Sequence, residues 1–359
     1  MRIVYLIDHL RPDGTQQFLR RLSAGLAARG HGQAVVCLND SYDPALVSTL
    51  RGNGIEVRII GQRALASGVG MVSLWLWLRA RRFDVALTLL FYGDLIGRPL
   101  ARAAGIARVI SSLRSINFHY TGWQRLLIRR TAALVDLVVL NGSHVREFAI
   151  QEEGVAADRI RVILNGVEPV HGTAIRQHDN GLPRVSPLIG GVGRLSPEKG
   201  YDLLLAALAH ATQRHAHLVL IGSGSDARLL QEQALRLSIS DRVHFTGQRS
   251  DVAPLLPALD LFVHPARQEG MSNALLEAMI AGLPIIATAI PGNREALDSD
   301  TCGWLVPPDD PAALAAAIDA ALSDPAEAAR RGAAARRRAE QLYSIDAMLD
   351  AWEQVLSGR

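Results

Sequence analysis

Cysteine is nearly absent: Cys37 and Cys302 are the only two in 359 residues. They lie far apart, fit no disulfide or metal-ligand spacing, and point to a reducing compartment. An excess of charge of one sign is also lacking, since 38 Lys and Arg against 35 Asp and Glu leave a net charge of +3. So mild a balance gives no ground for a nucleic-acid partner. No apolar run reaches 18 residues, and the longest candidate, 69–78, stops at Arg79, Arg81 and Arg82, so no spanning helix is expected. The N-terminus, M-R-I-V-Y-L-I-D-H-L, reads as a first strand rather than a signal peptide, and a cytoplasmic protein is expected. There is no sequence repeat of 20–50 residues. Aromatics are few at 5%, whereas Ala, Leu and Gly abound and hydrophobic residues make up 49%, which suits helix-rich α/β cores. The length points to about two domains.

The order of segments says how those domains are built. Apolar, β-branched runs at 3–7, 33–38, 56–60, 85–90, 109–113, 137–140 and 162–164 read as strands of a parallel sheet. Helical stretches near 15–29, 44–52, 71–82, 95–104 and 123–135 intervene, which implies right-handed βαβ units and a doubly wound sheet. Residues 171–187 are polar and rich in His, Gly, Pro and Arg, and read as a linker. The alternation then restarts. Strands are expected at 188–192, 218–221, 243–246, 261–263, 285–288 and 303–306, with helices near 200–214, 226–237, 312–322, 326–342 and 344–356. The Arg-rich run from Arg330 to Arg338 reads as a solvated helix face. The division is therefore 1–170, a linker at 171–187, and 188–343, with ligand expected in a crevice between two α/β halves.

One stretch concentrates the chemistry: P-A-R-Q-E-G-M-S-N-A-L-L-E-A-M-I-A-G-L-P, residues 265–284. A buried strand leads into a polar loop carrying Glu269 and Gly270. Ser272 then suits the N-cap of a helix over 273–281, ended by Gly282 and Pro284. Glu269 falls on the loop and Glu277 in the helix. The helix start between them offers backbone N–H groups and a positive dipole end. Phosphate suits the amides and sugar hydroxyls suit the carboxylates. Upstream, G-G-V-G-R-L-S-P-E-K-G at 190–200 follows a strand and opens a helix. There Arg194 offers a planar fork and Lys199 a point charge to a diphosphate, while Glu198 reads as solvated or structural.

The E-x7-E pair before A-G-L-P-I-I-A-T, preceded by G-R-x-x-x-x-K-G, resembles the donor-site signature of the retaining glycosyltransferases of family 4. The resemblance covers nearly the whole chain and is strongest over 137–306. It implies the GT-B fold, two Rossmann-like domains facing a central cleft, with a final helix (344–359) crossing back onto the first. It also implies transfer of a sugar from a nucleotide-diphosphate donor, a UDP-sugar above all, to a hydroxyl acceptor such as a lipid-linked or polysaccharide intermediate. Arg194 and Lys199 then stabilise the leaving diphosphate, assisted by the amides of Asn273, Ala274 and Leu275. Glu277 holds ribose hydroxyls, and Glu269 holds the sugar near its anomeric carbon. Gly193, Gly270, Met271 and Ser272 complete the donor set, and Gly222, in I-G-S-G-S, lines it as a turn. Gln248 and Arg249 are expected at the base, with Asp251 capping the next helix. No cofactor is implied.

Other runs fit or depart from the family pattern. Gly14, in D-G-T-Q, lets backbone approach a phosphate, but Gln16 stands where an acid is common. In S-S-L-R-S, Arg114 takes the place of a frequent His and is a catalytic candidate, with His119 five residues on as a substitute. Arg114 alternatively contacts an acceptor or donor phosphate. Asn141 and Ser143 are expected to shape the crevice floor, and Asn165-Gly166 to form a structural turn. Asp298-Ser299-Asp300 spells a D-x-D but reads as a polar turn, so no metal is expected. Trp75, Trp77 and Trp123, with Arg125, Arg129 and Arg130, invite peripheral contact with the inner face of a membrane. Ordinary core or crevice positions are the competing reading for Trp75 and Trp77, which cannot both face one way on a helix. A GT-B enzyme that does not transfer, such as a nucleotide-sugar epimerase, and a non-catalytic nucleotide-sugar-binding scaffold remain alternatives.

Overall fold

The structure is a computed structural model that describes residues 1–11, 13–114, 120–169, 181–249, 251–298 and 301–358. The chain forms two compact units, one of Met1–Gly166 with Asp346–Arg359 and one of Val167–Ile345.

The sheet of the first unit is built from β1 (Arg2–Ile7), β2 (Gly32–Cys37), β3 (Glu56–Ile59), β4 (Val85–Leu89), β5 (Arg108–Leu113), β6 (Leu137–Leu140) and β7 (Ile160–Val162). Their order across it is β3-β2-β1-β4-β5-β6-β7. Every pairing is parallel. With helices over both faces, the central strands read as unbroken apolar runs, and Ile3–Ile7 are all buried. The order reverses between β1 and β4, which makes the carboxyl ends of those strands the switch point of the sheet.

Two sequence expectations shift here. The strand expected at 162–164 lies at Ile160–Val162. The helix expected at 95–104 begins instead as a π-turn, Gly93–Gly97, before Arg98–Ala103. Close approach to β1 explains the turn: a Cβ on Gly93 would lie 2.5 Å from the Leu6 carbonyl oxygen. Asp8 Oδ1 accepts the Gly93 N–H at 2.6 Å, so β1 holds the turn after β4 directly.

The last helix, Ile345–Ser357, belongs to this unit from Asp346 on. Trp352 is fully buried, with its ring 5.6 Å from that of Phe18 in the helix Gly14–Ala28. A Cβ on Gly25 would meet Leu349 Cδ1 at 2.4 Å, so the glycine is what allows the helices to touch. Arg29 forks onto Asp350 (2.7 Å) and Glu353 (3.0 Å) at the rim.

The second unit carries β8 (Leu188–Val192), β9 (His217–Ile221), β10 (Val243–Gly247), β11 (Leu261–His264), β12 (Ile285–Thr288) and β13 (Trp304–Val306). They are ordered β10-β9-β8-β11-β12-β13, again all parallel. Its core joins Ile189, Leu204, Leu208, Leu220, Val263 and Ile318. The switch point lies between β8 and β11, whose following loops are those the sequence singled out.

Candidate active site

After β8 the chain turns through Gly193, then runs past the exposed Arg194 into a short 3-10 turn, Pro197–Lys199. Gly200 ends that turn in the left-handed region, φ 68°, where a Cβ would strike the Pro265 carbonyl oxygen at 2.1 Å. The loop after β11 therefore lies directly against it. The Arg267 N–H donates to the Glu198 carbonyl at 2.8 Å, and the Arg267 guanidinium forks onto both Asp202 oxygens at 2.7 Å. Glu198, whose side chain accepts from Ser196 Oγ at 2.6 Å, is thus structural, as its sequence context allowed.

These ties bring two expected residues together: Lys199 Nζ is ion-paired with Glu269 Oε2 across the switch point. Burial works to raise the Glu269 carboxyl, but the Lys199 charge and hydrogen bond outweigh it and hold the group below the ordinary carboxylate range. Lys199 is also the only lysine in the chain, every other basic side chain of this class being arginine. The chain's single compact ammonium thus stands where it meets Glu269.

The helix Asn273–Ile280 begins where expected, with Ser272 as N-cap and its Oγ accepting from the Leu275 N–H at 3.4 Å. Of the three amides expected to assist a diphosphate, that of Leu275 is therefore engaged by the cap, while Asn273 and Ala274 are the first two residues of the helix. Gly270 and Met271 are buried, and Glu277 is half-buried one turn further on. Gly270 abuts the next layer, since a Cβ on Gly292 would lie 2.0 Å from its carbonyl oxygen.

The glycines after β8 and β9 have a steric reason. Gly193 and Gly222 both sit at φ 153°, and a Cβ on Gly222 would lie 1.9 Å from the Gly193 carbonyl oxygen. Leu195 N–H donates to Ser223 O (2.9 Å), Gly193 N–H to Ile221 O (3.0 Å) and Gly222 N–H to Gly247 O (2.9 Å). The loop bearing Arg194 is thereby fixed to its neighbours. Gln248 is exposed and accepts from Ser223 Oγ at 3.4 Å. Asp251 departs from expectation. It stands at the N-cap of Val252–Leu255 without a side-chain cap, because Arg249 Nε (2.8 Å) and Nη2 (2.6 Å) take its carboxylate.

Sequence reasoning passed over His264 and Tyr201. His264 ends β11 fully buried, its Nε2 3.8 Å from Glu269 Oε2 and without a hydrogen-bond partner among the described residues. Burial, then the nearby Lys199 charge, lowers it to about 4, so it is neutral at ordinary pH. The Tyr201 hydroxyl is likewise buried without a partner among the described residues, and burial pushes its pKa up. A Cβ on Gly193 would lie 2.9 Å from that hydroxyl. A strand-ending His before Pro265 and a Tyr after Gly200 were the available signals, but both look like core residues until the Lys199–Glu269 pair is placed beside them.

Arg114 and Gly14 lie in the first unit. Gly14 opens its helix after Asp13, which stands at the N-cap without capping the helix through its side chain. Gln16 is buried, its amide donating to the His9 carbonyl at 3.0 Å. Arg114 follows β5 and is buried, and desolvation lowers its guanidinium to about 9. Asn141 Nδ2 donates to the Arg114 carbonyl at 2.9 Å, and Asn165 accepts from Arg114 Nη2. Asn165, read from sequence as part of a structural turn, therefore also holds a site candidate. Asp8, at the end of β1, is another residue the sequence did not flag; burial raises its carboxyl to about 7. His119, Ser299 and Asp300 lie outside the described residues. Among the described residues no group of three His, Cys, Asp or Glu side chains converges as a metal-ligand set.

Two parallel Rossmann-like sheets, with cationic and acidic loops at one switch point, define the GT-B class of glycosyltransferase. Solved structures agree on the fold. Anabaena HepE in complex with UDP-glucose superposes over the whole of both chains with a TM-score of 0.86 at 22% identity. A sucrose-phosphate synthase from Thermosynechococcus elongatus does so at 0.82 and 21%. Residues 175–338 match the family described as Glycosyl transferases group 1, and residues 12–171 match Glycosyltransferase Family 4. The D-inositol 3-phosphate glycosyltransferase of Xylanimonas cellulosilytica is 30% identical over 79% of this chain and 70% of its own. The lipopolysaccharide glucosyltransferase WaaG of Escherichia coli K12 is 28% identical over 52% of each. The chain belongs to the group 1, family 4 glycosyltransferases and is an enzyme of that kind.

Proposed function

We propose that the protein is a retaining glycosyltransferase that takes a sugar from a UDP-sugar and passes it to a hydroxyl of a lipid-linked or polysaccharide intermediate. The observation that carries this is the Lys199–Glu269 pair at the switch point of the second sheet. A donor would enter by exchanging that pair for its own groups, giving phosphate oxygens to Lys199 and Arg194 and sugar hydroxyls to Glu269. Glu277 would take ribose hydroxyls, and the region of Gly222, Gln248 and Arg249 the base. The bond from the anomeric carbon to the β-phosphate oxygen breaks and its electron pair leaves on the diphosphate. Arg194, Lys199 and the amides of the Asn273–Ile280 helix stabilise the growing charge there, usually the largest catalytic contribution. The acceptor oxygen bonds to the same face, and its proton passes to the departing phosphate. No metal is needed in this scheme, since two cations and a helix start supply the positive charge. HepE, solved with UDP-glucose, supports the choice of donor class.

The test is turnover of UDP-sugars by wild type, Glu269→Ala and Lys199→Ala. Each variant should retain its fold and lose transfer by about 100-fold or more, the scale of removing one preorganised charge-stabilising group. Near-normal turnover in both would refute the assignment.

The acceptor side is read as meeting a membrane surface. Val69, Val72 and Leu76 are 69%, 58% and 54% exposed and fall on one face of the helix Val69–Arg81, with Arg79 on the same face. Trp123 and Leu126 repeat the arrangement on Gly122–Ala132, with Arg130 following. Trp75 and Trp77 do not contribute: Trp75 Nε1 donates to the Ala103 carbonyl at 3.0 Å and Trp77 packs on Phe83 at 5.3 Å. Apolar side chains rimmed by arginine suit an anionic lipid surface. Wild type should float with vesicles containing anionic lipid, and Leu76→Glu with Trp123→Glu should not. Equal flotation of both would remove membrane contact from the proposal.

A further inference from the structure

The first unit buries two arginines at the carboxyl end of its sheet and surrounds them differently. Arg98, 1% exposed, is neutralised. Its Nη2 lies 3.0 Å from Asp94 Oδ2, and it donates to Ser111 Oγ (2.9 Å) and Thr131 Oγ1 (3.2 Å). Arg114, 9% exposed, has only neutral partners among the described residues. Its Nη2 donates to Asn165 Oδ1, its Nη1 is 3.5 Å from Ser112 Oγ, and its guanidinium carbon stands 3.4 Å from the centroid of the Phe18 ring. No carboxylate pairs with it among the described residues. Withdrawing a cation from water without a counterion is costly, and a hydrophobic side chain of the same length would avoid that cost. The posture is nonetheless well fixed, by a ring face, by the Asn165 amide and by the Asn141 grip on its carbonyl.

Its place in the fold says what that charge awaits. Arg114 follows β5, and Phe18 lies on the helix that follows β1, so their contact brackets the end of β4 at the switch point. Ligands of open α/β sheets bind there. A planar guanidinium held by neutral partners keeps its fork available for an oxyanion. We propose that Arg114 anchors a subsite for an anionic group, phosphate or carboxylate, carried by the acceptor; this rests on the transferase reading above and narrows its acceptor to an acidic one.

Inorganic phosphate is the probe. Thermal melting is recorded in phosphate and in chloride at matched ionic strength, once with saturating UDP and once in Lys199→Ala, where the donor-phosphate site is disabled. Phosphate should raise Tm in both settings, and Arg114→Met should abolish that shift while leaving UDP affinity within about two-fold. A ligand of the native state alone stabilises it in proportion to the logarithm of its saturation. Without phosphate, Arg114→Met should melt no lower than wild type, because it removes an uncompensated buried charge; Arg114→Lys should keep a reduced phosphate shift. The inference is overturned if phosphate does no more than chloride. It is also overturned if Arg114→Met weakens UDP ten-fold or more, which would make Arg114 a donor contact, or if the variant melts well below wild type without phosphate, which would make the residue structural. UDP that fails to bind while the phosphate shift persists counts against the transferase reading and not against Arg114.

Discussion

At the residue scale, the proposed donor site depends on charges that share little solvent. Glu269 is held ionised by Lys199, while His264 beneath them is held neutral by burial. His264 in the native state binds its proton near pH 4, and in the unfolded chain near about 6.5. Between those values the unfolded state carries more protons, so stability falls as pH drops through that window, by roughly 3 kcal/mol at its lower end. Asp8 works in the opposite sense, since its native pKa of about 7 lies above its unfolded value. The difference between the melting curves of wild type and His264→Gln isolates the histidine. The variant should lose less stability on going from pH 7 to pH 4, and equal losses would show that His264 is not buried neutral. The places of Arg194, Lys199, Glu269 and Glu277 on loop and helix were legible in the sequence because glycines and a cap residue mark those elements locally. His264, Tyr201 and the setting of Arg114 were not, because their meaning depends on neighbours tens of residues away.

At the scale of elements, the strands were legible from apolar β-branched runs, which parallel sheets buried on both faces require. Short helices such as Gln62–Ala66 and Arg146–Gln151 were not, being too brief to show a period. The glycine turns illustrate a similar limit. I-G-S-G-S reads as a turn, but only the structure shows loop backbone lying on loop backbone, with a Cβ on Gly224 meeting the Leu195 carbonyl oxygen at 2.1 Å. Gly224→Ala must push the loop carrying Arg194 away, so UDP affinity should fall at least ten-fold with the fold retained, as titration calorimetry would show. Unchanged affinity would mean that this loop does not contact the donor. At the opposite wall, Ser272→Ala should destabilise by about 1 kcal/mol in denaturant unfolding, the usual effect of losing an N-cap.

At the scale of the whole molecule, two doubly wound units follow from two runs of strand–helix alternation, and residues 170–180 lie outside the described structure. The chain's end belongs with its beginning: Trp352 is buried on Phe18, and Leu349 occupies the gap left at Gly25. Trp352→Ala should therefore destabilise the first unit by about 3–5 kcal/mol, as large-to-small core changes do. UDP binding in the second unit should persist under conditions where the first begins to unfold. The amphipathic pattern of 344–356 announced a helix with an apolar face and the family resemblance assigned it to the first domain, whereas the contacts that hold it, Trp352 on Phe18 and Leu349 against Gly25, required the structure.

The central claim is that Lys199 receives the donor diphosphate. Because Lys199 is the only lysine, reductive methylation with 13C-formaldehyde labels one side chain and keeps its charge. The methylated N-terminal amine supplies an internal reference. Titrated with UDP-glucose, the Lys199 resonance should move to a saturating limit as its partner changes from Glu269 to phosphate, while the reference stays still. A Lys199 resonance that does not move at UDP-glucose concentrations sufficient to stabilise the protein against melting would contradict the account.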